Sequence, residues 1–288
     1  MILGQKRYAP INEHLSQILE QKKHLIAAHR GSWGGNIIQN SIPSYDIALK
    51  MGADMVETDV NSSTDGVLYS FHDGNEKNVL GVDKCIKELS SEEIDALYPI
   101  NTTMAFCSRK LNRLSEILEH FQDGTLINID RAWDIFPKLL ALLDGYEQAK
   151  YQVLIKAPLS QTQALKALEN HPVKYMFMPI CNTLDGVRSI LKMPEINTVG
   201  IEMIAHVKED ELFSDESIAF IHKQHLFTWV NAITLGDVNT KALYGGLDDD
   251  ISVIRGPEYG WGKLMEKKID ILQTDWPALL YAFRAQLE

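Results

Sequence analysis

Five side chains in the first quarter of the chain combine the proton chemistry and the charges needed to act on phosphate esters. In chain order they are His29, Arg30, Glu57, Asp59 and His72. Each lies in or directly after a short apolar run bounded by glycine and polar turns, which is typical of a buried strand. Histidine exchanges protons near neutral pH, arginine binds phosphate oxygens, and carboxylates bind hard cations. Such side chains at neighbouring strand ends predict an active site.

Two of these residues, Glu57 and Asp59, are separated by a single residue. Side chains alternate across a strand, so both carboxylates point to one side and Thr58 to the other. Adjacent carboxylates repel each other unless a cation or a shared proton lies between them. A hard divalent cation with oxygen ligands is the simplest solution. The alternative is a surface strand with two solvated acids, but the flanking Val56 and Val60 favour a buried strand.

A hairpin signal connects this carboxylate pair to the second histidine. The dipeptide Asp65-Gly66 lies between the carboxylate run and the run 67–72, and Asp-Gly between two strands favours a tight turn. Such a turn folds the second run back along the first and brings His72 near the carboxylates. An isolated histidine is usually structural or solvent-facing. Two histidines that end strand-like runs beside acids favour a catalytic pair, His29 and His72.

Length, composition and charge limit the class of protein. The chain has 288 residues, of which 45% are hydrophobic and 23% charged, as in a soluble globular protein large enough for one barrel. The net charge of −11 argues against nucleic acid or anionic membrane as a partner. No segment reaches the roughly 20 apolar residues of a membrane span. Residues 1–10 lack a signal-peptide core, so two compartments stay open: the cytoplasm, or the periplasm or exterior if a signal was removed.

The alternation of strand-like and helix-like segments predicts the fold. Alternating strands and helices imply parallel pairing through crossovers, and eight strands imply a (β/α)₈ TIM barrel, an α/β fold with its active site at the carboxyl ends of the strands. We expect one TIM-barrel domain over residues 1–288, with 67–72 as an extra hairpin strand and an insertion at about 74–124. The predicted barrel strands start near residues 25, 55, 125, 151, 175, 198, 226 and 269.

The order of these motifs resembles that of the glycerophosphodiester phosphodiesterase family. The resemblance extends from about Leu25 to about Ala278. It implies a TIM-barrel hydrolase that cleaves glycerophosphodiesters to glycerol 3-phosphate and an alcohol. The segments that carry it are His29-Arg30-Gly31, Asn40-Ser41, Gly52-Ala53-Asp54-Met55-Val56-Glu57-Thr58-Asp59-Val60, Thr64-Asp65-Gly66 and His72-Asp73.

The resemblance also implies a set of metal ligands. Asn128-Ile129-Asp130 is similar to the Asn-Ile-Glu segment that supplies the third metal carboxylate in this family. Asp130 is one methylene shorter than glutamate, and it is implied as a ligand together with Glu57 and Asp59. The implied cofactor is a divalent metal ion, Mg²⁺ or Ca²⁺.

Catalytic and substrate-binding residues follow from the same resemblance. His29 and His72 are implied as the general acid and base, and Arg30 and Asn40 as residues that bind the phosphate or the substrate. The nucleophile implied by the family is the neighbouring glycerol hydroxyl, which gives a cyclic phosphate that water then opens. The sequence leaves open which histidine is the acid and which is the base.

Two further substrate contacts each have an alternative interpretation. The family usually has a lysine where this chain has Ala132, and we expect Lys156, at the end of the next strand, to replace that phosphate-binding cation. The alternative is a lysine that points to solvent. Trp229 lies in a segment similar to the Trp-Thr-Val-Asn segment of the family and is implied to contact the glycerol part of the substrate, or else to pack in the core.

Acidic residues in the second half of the chain receive simpler interpretations. Asp275, in a segment similar to the closing Thr-Asp-x-Pro of the family, is expected to cap the last helix before Pro277. The run Asp248-Asp249-Asp250 has no adjacent ligand pattern, so we expect a solvated loop. Glu202, at a strand end, is a further polar candidate for the pocket.

Three functions are compatible with the sequence. The first is a metal-dependent glycerophosphodiester phosphodiesterase acting on a small-molecule substrate. The second is a related barrel lyase acting on another phospholipid head group; the net negative charge and the lack of a membrane segment argue against it. The third is a non-catalytic phosphodiester-binding barrel, for which Ala132 and the shortened Asp130 are the only support. The sequence does not determine the oligomeric state.

Overall fold

A closed barrel of eight parallel strands forms the centre of the computed structural model, which describes residues 2–233 and 242–287. The described residues contain nine strands, of which β3 lies outside the barrel: β1 (Leu25–Ala28), β2 (Met55–Ser62), β3 (Leu68–Ser70), β4 (Leu126–Asp130), β5 (Val153–Pro158), β6 (Met176–Cys181), β7 (Gly200–Met203), β8 (Phe227–Asn231) and β9 (Ile271–Thr274). Their spatial order is β1-β9-β8-β7-β6-β5-β4-β2, and β1 pairs with β2 to close the barrel. The predicted TIM barrel is confirmed.

Helices follow most of the strands and form the outer layer. Within the described residues they are α1 (Ala9–Lys22), α2 (Ile42–Lys50), α3 (Ser91–Ala96), α4 (Leu114–His120), α5 (Phe136–Leu143), α6 (Ala149–Gln152), α7 (Thr162–Asn170), α8 (Leu184–Ile190), α9 (Asp215–Lys223), α10 (Asp249–Ile254), α11 (Trp261–Glu266) and α12 (Pro277–Arg284). None of the helices in these residues is long and apolar enough to cross a lipid bilayer.

The strands are apolar on both faces, because each strand packs against two different cores. In β1, Leu25 and Ala27 point into the barrel, where α1 adds Leu15 to the same cluster. Ile26 and Ala28 of the same strand pack outward against the helices. This alternation explains why the barrel strands appear in the sequence as continuous apolar runs.

The predicted hairpin is confirmed. β3 pairs antiparallel with β2, with Val60 opposite Ser70. Gly66 has a φ of +92°, a left-handed conformation that glycine adopts without steric cost, and its N–H donates to the carbonyl of Ser63. His72 follows directly after the short strand β3 and is thereby returned toward the carboxyl end of the barrel.

The segment after β3 packs around a small hydrophobic cluster, and the predicted insertion bounds of about 74–124 stay a prediction. Val79, Leu80, Ile86 and Ile94 are buried in this cluster. The side chain of Asn101 donates to Asn36 in the loop after β1 at 3.1 Å, which joins the insertion to the rim of the barrel. The assignment of residues 1–288 to a single domain stays a prediction.

A buried ion-pair cluster closes the opposite, amino-terminal end of the barrel. The carboxylate of Asp54, just before β2, accepts a hydrogen bond from the N–H of Ile26 in β1 at 2.8 Å. The same carboxylate pairs with Lys22 of α1 and Arg284 of α12. The side chains of Asp54 and Arg284 are 1% and 5% exposed. One carboxylate therefore connects the first helix, the first strand and the last helix.

We expect Asp54→Ala to lower the free energy of unfolding by about 3–5 kcal/mol, because the buried guanidinium of Arg284 keeps its hydrogen bond to the His24 carbonyl but loses its carboxylate partner. Urea denaturation followed by circular dichroism measures the change. Asp185→Ala is the control, since Asp185 forms an exposed pair with Arg188, and such pairs contribute little. Equal effects of the two substitutions would contradict the role of Asp54.

Candidate active site

The three carboxylates predicted as metal ligands meet at the carboxyl ends of β2 and β4. Parallel pairing places Asp59 of β2 beside Asp130 of β4. One oxygen atom from each of Glu57, Asp59 and Asp130 lies within 4.8 Å of the others. Glu57 and Asp59 are buried, and Asp130 is partly exposed. Carboxylate oxygens in this arrangement suit a hard divalent cation such as Mg²⁺ or Ca²⁺.

Lys156, the residue predicted to replace the missing phosphate-binding lysine, lies inside the barrel and is 1% exposed. Its Nζ is 2.9 Å from Oδ2 of Asp130 and 3.1 Å from Oε2 of Glu202. Burial works against the charged form, but the carboxylates of Asp130, Glu202 and Glu57 outweigh it and raise the pKa of Lys156. The ammonium is therefore fixed between carboxylates and does not point to solvent.

Negative charge exceeds positive charge in this cluster, even with the cations in direct contact included. The carboxylates are those of Glu57, Asp59, Asp130 and Glu202, and the cations that contact them are Lys156 and Arg30. Two negative charges remain unbalanced. Burial, followed by the charge of Asp59, raises the pKa of Glu57 well above its ordinary value despite Lys156 and Arg30. One divalent cation would supply the missing charge, so the donor set fits such an ion.

Arg30 contacts the carboxylate cluster through both its main chain and its side chain. Its N–H donates to Oε2 of Glu57 at 2.9 Å. Nε lies 3.0 Å from Oδ2 of Asp59, an ion pair without hydrogen-bond alignment, and Nη1 donates to Oε1 of Gln39 at 2.8 Å. The φ of Arg30 is +54°, a left-handed conformation that costs a non-glycine residue about 1–3 kcal/mol. The surrounding contacts maintain this strained backbone.

Asn40, which the sequence predicted to bind substrate, contacts Asp59, one of the predicted metal ligands, and does not point to open solvent. Its Nδ2 donates to Oδ2 of Asp59 at 3.0 Å, and its Oδ1 accepts from the N–H of Asp59 at 3.1 Å. The residue is 1% exposed and has a φ of +55°, which asparagine tolerates better than most residues. Asn40 therefore fixes the orientation of the Asp59 carboxylate.

His29 is held by Asp275, a residue for which the sequence predicted a different role. The distance from Nδ1 of His29 to Oδ1 of Asp275 is 2.8 Å, and the N–H of His29 donates to the carbonyl of Thr274 at 3.1 Å. The expected helix cap at Asp275 is wrong: Trp276 is the N-cap of α12, and no side chain caps that helix. Since β1 and β9 are neighbours, the two strand ends bring His29 and Asp275 together.

The acidic run 248–250 is not the solvated loop that the sequence suggested. Asp248 caps α10 through a hydrogen bond from the N–H of Ile251, and Asp249 is 2% exposed. The carboxylate of Asp249 accepts hydrogen bonds from Trp261 Nε1, Thr274 Oγ1 and the N–H of Asp275. The prediction failed because charge runs are usually solvated, whereas α11 and β9 enclose Asp249, and only Asp250 of this run is exposed. Asp249 thus holds the turn that carries Asp275.

His72, the second predicted histidine, is partly buried at the same end of the barrel. Its Nδ1 is buried and has no hydrogen-bond partner within the described residues. Burial lowers the pKa of His72, with Asp59 opposing that shift and Arg30 and Arg131 adding to it. The carboxylate of the adjacent Asp73 pairs with other side chains; it accepts from Arg131 Nε at 2.8 Å and pairs with Lys87. One nitrogen of the imidazole is therefore free of protein contacts in this part of the structure.

The structure favours the core-packing interpretation of Trp229. Its side chain is fully buried, its Nε1 donates to Oδ1 of Asn231 at 2.8 Å, and the Lys156 ammonium lies 5.6 Å from the ring centroid. Asn231 in turn donates to Oε1 of Glu202 at 2.7 Å. A line of buried polar contacts therefore extends from Asp130 through Lys156 and Glu202 to β8.

Comparison with known proteins identifies relatives for both halves of the chain. The profile of the glycerophosphoryl diester phosphodiesterase family matches residues 29–175, and a domain of unknown function matches residues 177–283. A glycerophosphodiester phosphodiesterase from Caldanaerobacter subterraneus is 32% identical over 110 residues, which are 38% of this chain and 45% of that protein. A human lysophospholipase D is 34% identical over 116 residues, 38% of this chain and 35% of that protein. The chain thus spans less than half the length of these relatives.

Solved structures share the fold at low sequence identity. A glycerophosphoryl diester phosphodiesterase from Parabacteroides distasonis superimposes with a TM-score of 0.73 and 17% identity, covering 92% of this chain and 87% of that chain. A phosphodiesterase from Oleispira antarctica, solved with its product sn-glycerol-3-phosphate, has a TM-score of 0.65 and 17% identity, covering 91% and 96%.

We expect the stability of Asp249→Asn, relative to the unsubstituted protein, to depend on pH. Burial raises the pKa of Asp249 to about 7 in the folded protein, so between about pH 4 and pH 7 the folded state binds more protons than the unfolded state. The contribution of Asp249 to the free energy of unfolding therefore falls as the pH rises, and asparagine lacks this dependence.

Urea denaturation at about pH 5 and about pH 8 measures this effect. The free energy of unfolding of the unsubstituted protein minus that of Asp249→Asn should be larger at the lower pH, by about 2 kcal/mol. If this difference in the free energy of unfolding instead grew with pH, the three hydrogen-bond donors would hold Asp249 ionised over the whole pH range.

Proposed function

Because the chain belongs to the glycerophosphoryl diester phosphodiesterase family, we propose that it hydrolyses glycerophosphodiesters to glycerol 3-phosphate and an alcohol with a bound divalent metal ion. The observation that carries the proposal is the buried carboxylate cluster with unbalanced negative charge beside Arg30. The product found in the Oleispira antarctica phosphodiesterase, sn-glycerol-3-phosphate, is the one that we expect here.

Glu57, Asp59 and Asp130 are the proposed ligands of the divalent ion, Mg²⁺ or Ca²⁺. Such an ion, when bound, withdraws charge from a phosphoryl oxygen and lowers the pKa of a coordinated hydroxyl. The surrounding residues prepare this ligand set: Asn40 orients Asp59 through two hydrogen bonds, and Lys156 holds Asp130. We assign Lys156 the task of positioning Asp130 and offsetting its charge, since its ammonium lies between two carboxylates.

Arg30 is the proposed ligand of the phosphate group. Its Nη1 is paired with the neutral amide of Gln39, so no second carboxylate neutralises the guanidinium from that side. Nη2 makes no hydrogen bond within the described residues, and it is available to a phosphoryl oxygen. A planar guanidinium held at two of its nitrogens presents the third in a fixed direction.

His29 and His72 are the proposed general acid and base. Asp275 accepts a hydrogen bond from Nδ1–H of His29, which leaves Nε2 as the atom that exchanges a proton with substrate. One histidine takes the proton of the glycerol hydroxyl as its oxygen attacks phosphorus. The other protonates the departing alkoxide as its bond to phosphorus breaks. Water then opens the cyclic phosphate, with the two histidines in exchanged roles.

We expect His29→Ala and His72→Ala each to lower kcat by about 10²–10⁴-fold, because each removes one proton-transfer group. Release of glycerol 3-phosphate measures activity, and circular dichroism tests the fold. His206→Ala, at an exposed position, is the control that should retain activity. Near-normal turnover in either of the first two variants would refute the acid–base assignment.

Removal of divalent metal should abolish release of glycerol 3-phosphate, and added Mg²⁺, Ca²⁺ or Mn²⁺ should restore it. Glu57→Gln removes one negative ligand, so we expect its metal affinity to fall at least about 10-fold, as measured by calorimetry with the metal alone. Glu258→Gln, a residue outside the carboxylate cluster, is the matched control. Activity that survives chelation, or equal metal affinity in both variants, would contradict the proposed ligand set.

A further inference from the structure

A groove of about 650 Å³ opens beside Arg30, between the loop after β1 and the insertion. Arg30 and Gln39 form its inner wall, next to the carboxylate cluster, since Arg30 Nε is 3.0 Å from Asp59. Trp33 and residues 75–104 provide its outer walls. A phosphodiester bound to Arg30 therefore lies at the inner end of this groove, and one of its two ester substituents can extend along it.

The charges along the groove disfavour a cationic head group. None of the described residues that line it is acidic, whereas Arg30 and Lys77 are basic. Lys77 is exposed and pairs with Asp83, with its Nζ at 3.3 Å, and Arg30 pairs with Asp59 of the carboxylate cluster. An ammonium group in the groove would therefore approach two basic side chains and have no carboxylate partner among the described lining residues, which is unfavourable. Trp33 is a single aromatic side chain, not the aromatic cage that quaternary ammonium groups require.

Side-chain amides supply most of the polar groups of the groove. The amide oxygen of Asn101 is used within its own loop, where it accepts from three donors. Gln39 accepts from Arg30 and keeps its NH₂ group for a ligand. The side chains of Asn75 and Asn78 also line the groove, and they make no hydrogen bond in the part of the chain that the structure describes. These groups both donate to and accept from hydroxyls.

An apolar surface lies opposite these amides. The Trp33 side chain is 45% exposed and presents a flat face on which the C–H groups of a polyol ring can pack. An acyl chain would leave the side-chain amides of the groove without partners, at the cost of desolvating them. The combination of these amides with two basic side chains and the exposed Trp33 and Met104, and with no acid among the described lining residues, therefore matches a hydroxyl-rich neutral group.

We propose that this groove binds the leaving alcohol and that the preferred alcohol is a neutral polyol, such as an inositol, a sugar or a second glycerol. The inference rests on the proposed function and defines its substrate class. The bond that breaks joins phosphorus to a polyol oxygen, and this oxygen receives its proton from the histidine that acts as the acid.

The ratio kcat/KM for four diesters tests the proposal: glycerophosphoinositol and bis(glycero)phosphate against glycerophosphocholine and glycerophosphoethanolamine, all with added metal. We expect at least about a 10-fold preference for the two polyol esters, which corresponds to one good hydrogen-bonding contact. Equal or higher kcat/KM for the two ammonium esters would overturn the proposal.

Two substitutions in the groove should each reduce this preference, for different physical reasons. Asn78→Asp adds an acid and should raise kcat/KM for glycerophosphocholine relative to glycerophosphoinositol. Trp33→Ala should lower the ratio of kcat/KM for glycerophosphoinositol to kcat/KM for glycerophosphoethanolamine about 10-fold. Asn170→Asp, on the exposed end of α7, is the matched control for added charge. An equal shift in Asn78→Asp and Asn170→Asp would exclude a local effect of the groove.

Binding to the His29→Ala protein separates failure of this proposal from failure of the proposed function. Calorimetry with glycerophosphoinositol and with glycerophosphocholine does not require turnover. If no diester is hydrolysed by the unsubstituted protein with any metal, the proposed function fails. In that case, tighter binding of glycerophosphoinositol than of glycerophosphocholine would still support the proposed polyol preference of the groove, and equal or weaker binding would overturn it.

Discussion

The structure of this site depends on one electrostatic constraint: four carboxylates share the interior and the carboxyl end of the barrel. Two protein cations contact these carboxylates, Lys156 from inside the barrel and Arg30 from its rim. Their two positive charges do not balance the four carboxylates. Burial, followed by the charge of Asp59, raises the pKa of Glu57. Burial makes any unbalanced charge expensive, so the cluster fits a divalent cation, and that cation together with Arg30 would attract the proposed anionic phosphodiester.

The fold satisfies this constraint by combining residues from distant parts of the chain. Parallel register places Asp59 beside Asp130, and the neighbouring ends of β1 and β9 place His29 beside Asp275, 246 residues away in sequence. Arg30 and Asn40 adopt left-handed backbone conformations, which direct their polar groups to the carboxylates. Asn40 is buried and fixes the orientation of the Asp59 carboxylate. Asp249 is also buried and holds the turn that carries Asp275, the partner of His29. The groups proposed to act on substrate therefore have little conformational freedom.

The sequence predicted the parts of this arrangement that depend on local pattern. Apolar runs predicted the strands, the Asp65-Gly66 dipeptide predicted the hairpin, and the one-residue spacing of Glu57 and Asp59 predicted the carboxylate pair. It did not predict that Asp275 contacts His29 or that Asp249 is buried, because both depend on which strands and helices become neighbours. The position of Asp275 directly after a predicted barrel strand was the one available signal, since such positions line the active-site face of a TIM barrel.

The most direct test of the metal-dependent phosphate site is a crystal structure with Mn²⁺ and glycerol 3-phosphate, with the ion located by its anomalous scattering. We expect one Mn²⁺ bound by an oxygen of each of Glu57, Asp59 and Asp130, with the phosphate against Arg30 and Lys156 still paired with Asp130. A structure without Mn²⁺ at these carboxylates, or with the phosphate bound away from Arg30, would contradict the proposed site.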